Sequence, residues 1–106
     1  WTIQANAPGT RSICDAILTP QPGQLTFAIG KRLFAGGLRV SDDDVRGAVR
    51  LAFDRLRIVS EPGGAAALAA AVARLPEALK GKRVGVLVTG GNVDPADFAK
   101  IITHRS

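Results

Sequence analysis

The stretch VGVLVTGGN, residues 84–92, decides how this chain is read. Val84 to Val88 is a near-continuous apolar run without polar alternation. That is the pattern of a strand covered on both faces, and such strands belong mostly to parallel sheets. The run leads directly into Gly90 and Gly91, where the backbone can come close to a neighbour. Beyond them Asp94-Pro95 marks a helix start, with the aspartate as cap and the proline in the first turn; Phe98, Ile101 and Ile102 give this helix an inward face.

Working back toward the N-terminus, Lys80-Gly81-Lys82 reads as a turn. It is preceded by AAALAAAVARL, residues 65–75, whose alanines predict a tightly packed helix buried on most sides. Residues 58–60 read as a short strand leading into Glu61-Pro62-Gly63-Gly64. Before them, Ser41-Asp42-Asp43-Asp44 has the form of a helix cap: a hydroxyl for an orphan N–H, and carboxylates at the positive end of the helix dipole. Val45, Val49, Ala52, Phe53 and Leu56 then recur at spacings of four and three, the apolar face of a helix of about four turns. Adjacent carboxylates diverge around a helix, so the aspartate triplet reads as a cap and not as a metal site. Residues 38–40 read as a further short strand. The first forty residues are irregular, broken by Pro8-Gly9, Pro20, Pro22-Gly23 and Gly36-Gly37, with short helices expected around 12–17 and 27–34.

The order strand, helix, strand, helix, strand, helix is α/β layering: a three-layer, mostly parallel sheet with flanking helices. A chain of 106 residues, 46% hydrophobic, suits one core, and residues 1–106 read as a single partial domain. The sequence begins at Trp1 and contains no methionine, which predicts processing or excision from a longer chain.

Fourteen basic against nine acidic residues give a net charge of +5. The bases are scattered, and one Trp, four Phe and no Tyr leave little for stacking on bases, so no nucleic-acid partner is expected. Arg46, Arg50 and Arg57 share a helical face that reads as solvated. No apolar run is long enough to cross a bilayer, and no membrane partner is expected. The single cysteine, Cys14, reads as a packing residue in a reducing cytoplasm.

Two places have the form of a ligand-bearing loop, Ser60 to Gly64 and Thr89 to Asn92. Each brings backbone close to whatever lies beside it and offers a hydrogen-bonding side chain, Glu61 in one and Thr89 in the other. A ligand site and a pair of ordinary glycine turns both satisfy this pattern. The glycines lack the GxGxxG spacing of a dinucleotide fold and the GK[ST] ending of a phosphate loop.

The two loops together are more specific than either. EPGGAAALAA, residues 61–70, followed by GKRVGVLVTGGNVD, residues 81–94, resembles the C-terminal part of threonine/serine dehydratases, pyridoxal-phosphate enzymes of the tryptophan-synthase-β-like family. Upstream, Ser12-Ile13-Cys14-Asp15-Ala16 is similar to the family's TIADG, PGQLTF (residues 22–27) to its PGxLTF, and VSDDDV (residues 40–45) to its VSDEEI.

This resemblance implies a fold-type II pyridoxal-phosphate enzyme and an amino-acid substrate. In it the hydroxyl of Thr89 would bond the pyridine nitrogen of pyridoxal 5'-phosphate, and Glu61 would lie near the ring. Gly90 and Gly91, with Gly63 and Gly64, would clear space. Thr89 stands where serine is commoner, and Ala16 where glycine is frequent. The family's cofactor-anchoring lysine and phosphate loop belong to segments N-terminal to these. Lys31, Lys80, Lys82 and Lys100 read as solvated, and His104 as a tail residue, so no catalytic residue is expected among the 106.

The implied role is the C-terminal portion of a threonine/serine ammonia-lyase that forms a 2-oxo acid. It would be completed by the N-terminal part of the same enzyme, in a homo-oligomer. A non-catalytic interaction or regulatory module derived from that fold is the alternative. Threonine against serine, and dehydration against racemisation, stay open at this level.

Overall fold

The computed structural model describes residues 1–104. Four α-helices carry the architecture: α1 (Gln24–Leu33), α2 (Asp42–Leu56), α3 (Ala66–Ala73) and α4 (Pro95–Thr103). Short 3-10 turns lie at Asp15–Ile17, Gly63–Ala65 and Glu77–Leu79. The core forms where α2 packs against α3 and α4. Val45, Ala48 and Val49 of α2 meet Ala65 and Ala69 on one side and Phe98 and Ile101 on the other, with Cys14 at the edge. Small side chains let α3 come close to α2, and the rings of Phe53 and Phe98 meet edge to face at 5.4 Å. Burial pushes the Cys14 thiol pKa up, as suits a packing residue.

Helix α2 begins as its sequence dictates. Ser41 Oγ accepts from Asp44 N–H, and the Asp44 carboxylate accepts from Ser41 N–H, both at 3.0 Å, which satisfies two orphan donors reciprocally. The three aspartates then do different things. Asp42 accepts from Ser12 Oγ at 2.7 Å and Ile13 N–H at 3.3 Å, tying the N-terminal loop to the helix. Asp43 pairs with Arg46. Asp44 pairs with Arg74 just beyond α3, and its bond from the Ser41 backbone, followed by Arg74, holds its pKa below the usual carboxylate value. Among the described residues no acidic, histidine or cysteine cluster could hold a metal.

At its other end α2 stops on Arg57, at φ 58° and ψ 37°. Its N–H donates to Phe53 O, and Ile58 N–H to Ala52 O, closing the last turn. This left-handed position favours glycine, and an L side chain there costs about 1 kcal/mol. Arg57→Gly is therefore expected to stabilise the protein by about 1 kcal/mol, read as a higher midpoint of thermal unfolding.

Several expectations are corrected. The described residues contain no β-ladder, so residues 38–40, 58–60 and 83–88 are not strands here and the parallel sheet is not seen. A strand exists only through its neighbours' N–H and C=O groups, and the described residues bring none alongside the Val84–Val88 run. Two of its side chains are correspondingly open, Val84 at 43% and Leu87 at 74% exposed, while Val86 and Val88 are half-buried. The helix expected at 12–17 is only the turn Asp15–Ile17, and the one expected at 27–34 begins earlier, at Gln24. α3 is not buried on most sides either, because it meets α2 along one face and Val72 is exposed. α1 makes no substantial packing with another helix, and Leu25, Ile29, Leu33 and Phe34 lie open on it and just beyond its end.

Candidate functional site

The two glycine loops meet. Glu61 N–H donates to Gly90 O at 3.0 Å, and Thr89 N–H donates to Gly64 O at 3.3 Å, so each loop bonds the other once in each direction. The fit is backbone against backbone. A Cβ added at Gly64 would stand 2.5 Å from Gly90 O and 2.9 Å from Gly90 N, and one at Gly91 would collide with Val59 O. Glycine is required at these two positions by proximity, not by dihedral angle.

Ser60 sits at the centre of this junction, fully buried. Its hydroxyl lies 2.8 Å from Glu61 O and 3.3 Å from Gly90 O, carbonyls of the two different loops, and donates to both in a shared bond. In the sequence Ser60 ends the 58–60 segment and heads the Ser60 to Gly64 loop, with no separate role of its own. The available signal was a hydroxyl closing the apolar pair Ile58-Val59.

Of the four candidate residues, Glu61, Gly90 and Gly91 are drawn together with Thr89 at one side of the molecule. Thr89 is exposed, and its hydroxyl makes no hydrogen bond among the described residues. Glu61 is half-buried, its carboxylate unpaired among the described residues, with Oε1 3.1 Å from where a Gly90 Cβ would stand. The space that Gly90 leaves open is thus flanked by an acceptor. Glu61 also borders a cleft of about 480 Å³ with Asp15, Arg46, Asn92 and Lys100, which Thr89, Gly90 and Gly91 do not line. Lys31, Lys80, Lys82 and Lys100 are all exposed, as is His104.

An exposed hydroxyl with no hydrogen-bond partner among the described residues, on a loop bonded through its backbone to a second loop that carries an unpaired carboxylate, suits a flat, polar ring that needs a donor at one edge. Residues 2–90 match the family described as "Pyridoxal-phosphate dependent enzyme". The chain belongs to that family. Among its relatives in the pyridoxal-phosphate dependent family are a phenylserine dehydratase of Ralstonia pickettii, 43% identical over 90 residues, and a serine racemase of Dictyostelium discoideum, 37% identical over 102 residues. These matches cover 85% and 94% of this chain but 28% and 31% of the relatives. The crystal structure of a T.th. threonine deaminase superposes with a TM-score of 0.76 at 36% identity, over 87% of this chain and 30% of that one. The chain thus spans less than a third of the length of the family members it matches.

The residues present fit pyridoxal phosphate in part. Thr89 offers a donor with no competing partner, Gly90 leaves room that a Cβ would fill, and Glu61 lies at the margin of that room. None of the described residues supplies a buried lysine or a phosphate-binding glycine loop.

Proposed function

We propose that this chain is the C-terminal portion of a pyridoxal-phosphate-dependent threonine/serine dehydratase, an ammonia-lyase giving a 2-oxo acid, and that it forms the pyridine-nitrogen side of the cofactor pocket. The observation that carries the reading is the junction itself, which bonds the loop bearing the unpartnered Thr89 hydroxyl to the loop bearing the Glu61 carboxylate. The names of relatives support a lyase: phenylserine dehydratase, L-threonine ammonia-lyase and L-threo-3-hydroxyaspartate ammonia-lyase are among them.

Pyridoxal phosphate, when bound, supplies the electron sink that allows an amino acid to lose its α-proton and a β-substituent. The part of this chain is to set how strong that sink is. A threonine hydroxyl donates a hydrogen bond to an unprotonated ring nitrogen, whereas a carboxylate would hold a proton on it. Thr89 in this role moderates the sink and favours β-elimination over other fates. Glu61 bounds the ring's edge, and Gly90 keeps side-chain atoms out of its space.

The remaining parts of the pocket, and of a parallel sheet, belong in this reading to the N-terminal part of the same enzyme. The exposed Val84 and Leu87 and the open face of α1 support that: burying apolar side chains such as these contributes about 1.5–3 kcal/mol each, and the chain alone leaves them exposed. Cytoplasmic location and a homo-oligomeric parent are part of the same proposal.

The complete gene product, purified with pyridoxal phosphate, is expected to show a cofactor absorbance band and to form a 2-oxo acid from threonine or serine. A complete product that binds the cofactor but only interconverts serine enantiomers would replace the lyase by a racemase. One with neither band nor turnover would leave the non-catalytic module as the function.

A further inference from the structure

We propose that Ser60 is a positioning residue for the cofactor side of the pocket: its buried hydroxyl fixes the Gly90 carbonyl and thereby the direction in which Thr89 presents its side chain. This inference rests on the assignment of Thr89 to the pyridine nitrogen.

Gly90 and Gly91 have the widest backbone freedom of any residues, so a hydroxyl presented immediately before them is aimed only as well as the following backbone is held. Thr89 N–H is held by Gly64 O. On the far side of Thr89, Gly90 O is the hub: it accepts from Glu61 N–H at 3.0 Å and from Ser60 Oγ at 3.3 Å. Removing the second of these leaves one bond on a glycine carbonyl, free to tilt about it.

Ser60 is an expensive choice for any lesser purpose. Its neighbours Ile58 and Val59 are apolar, and it is itself fully buried. Burying a hydroxyl costs free energy unless it is hydrogen-bonded, and here both bonds go to loop carbonyls on opposite sides of the junction. Its loss should also be mild for folding, because each carbonyl keeps another donor: Ala65 N–H for Glu61 O and Glu61 N–H for Gly90 O. The effect therefore falls on orientation more than on stability.

The test is a double-mutant cycle on the complete gene product, reading pyridoxal-phosphate affinity by fluorescence titration and the unfolding midpoint of the cofactor-free protein. Thr89→Val should weaken the cofactor about tenfold, the loss of one net hydrogen bond. Ser60→Ala alone should weaken it about fivefold while moving the cofactor-free midpoint by only a few degrees. The two changes together should be no weaker than Thr89→Val alone, since Ser60 has nothing left to aim. Ser60→Cys, which keeps a weak donor, should fall between wild type and Ser60→Ala, and it carries the same cycle if the alanine variant does not fold. The inference is overturned if Ser60→Ala leaves affinity unchanged or multiplies its full factor onto Thr89→Val. If Thr89→Val itself leaves affinity unchanged, the underlying assignment of Thr89 fails, and the role of Ser60 with it.

Discussion

Gly64→Ala is expected to separate the two glycine loops, whereas Gly63→Ala, one residue away, is expected to be tolerated. The contrast follows from what each new methyl group would meet. At Gly64 the Cβ lies 2.5 Å from Gly90 O, 2.9 Å from Gly90 N and 3.1 Å from Ser60 Oγ, and the first two are backbone atoms that cannot rotate away. At Gly63 the nearest atoms are side-chain carbons of Ile17 at 3.5 Å, an ordinary contact. Overpacking of a fixed site costs about 3 kcal/mol, and here it also pulls apart the bonds from Thr89 N–H to Gly64 O and from Glu61 N–H to Gly90 O. Denaturant unfolding of the complete protein should show Gly64→Ala less stable by about that amount, with cofactor binding lost, and Gly63→Ala within about 0.5 kcal/mol of wild type. Equal stability of the two variants would mean that the loops are not in backbone contact.

The second large effect is expected at Thr89, and on turnover. Thr89→Val keeps the shape of the side chain and removes the donor, and it should lower 2-oxo acid formation by about tenfold, one hydrogen bond's worth of differential stabilisation. Thr89→Ser keeps the donor and should stay within a few-fold of wild type. The comparison separates the hydroxyl from the volume it occupies. Similar losses in both variants would assign Thr89 to packing.

The parts of this fold that were legible in the sequence are those fixed by local chemistry. The Ser41 cap with its three aspartates and the Val45, Val49, Ala52 stripe specify α2 with no help from distant residues, and Asp94-Pro95 specifies the start of α4 in the same way. What local chemistry leaves open depends on neighbours. Val84 to Val88 has the composition of a buried strand, but strand pairing belongs to at least two segments, and none pairs with it among the described residues. The alanines of α3 allow close packing on any side and cannot say how many sides are covered; only one is.

The candidate site divides in the same manner. The glycine pairs announced a close approach of backbone, and the structure shows that the object approached by Gly64 is Gly90, and by Gly91 Val59. The loop pattern singles out Thr89 and Glu61 as hydrogen-bonding side chains, resemblance to a family supplies their cofactor roles, and the chain's membership of the pyridoxal-phosphate dependent enzymes stands on its match over residues 2–90. Ser60 was illegible because a lone serine at the end of an apolar pair has no pattern; its importance comes from two carbonyls, one of them 30 residues away in sequence. Arg57 was read as one of a stripe of solvated charges, and its left-handed backbone could not be seen in that spacing.

The central claim is that Thr89 faces the pyridine nitrogen of a bound cofactor. A crystal structure of the complete gene product with pyridoxal phosphate measures this directly. Thr89 Oγ1 is expected within about 2.6–3.2 Å of the ring nitrogen, with Glu61 at the ring's margin and the Ser60 hydroxyl still on Gly90 O. A ring nitrogen bonded to another side chain, with the Thr89 hydroxyl turned to solvent, would contradict it.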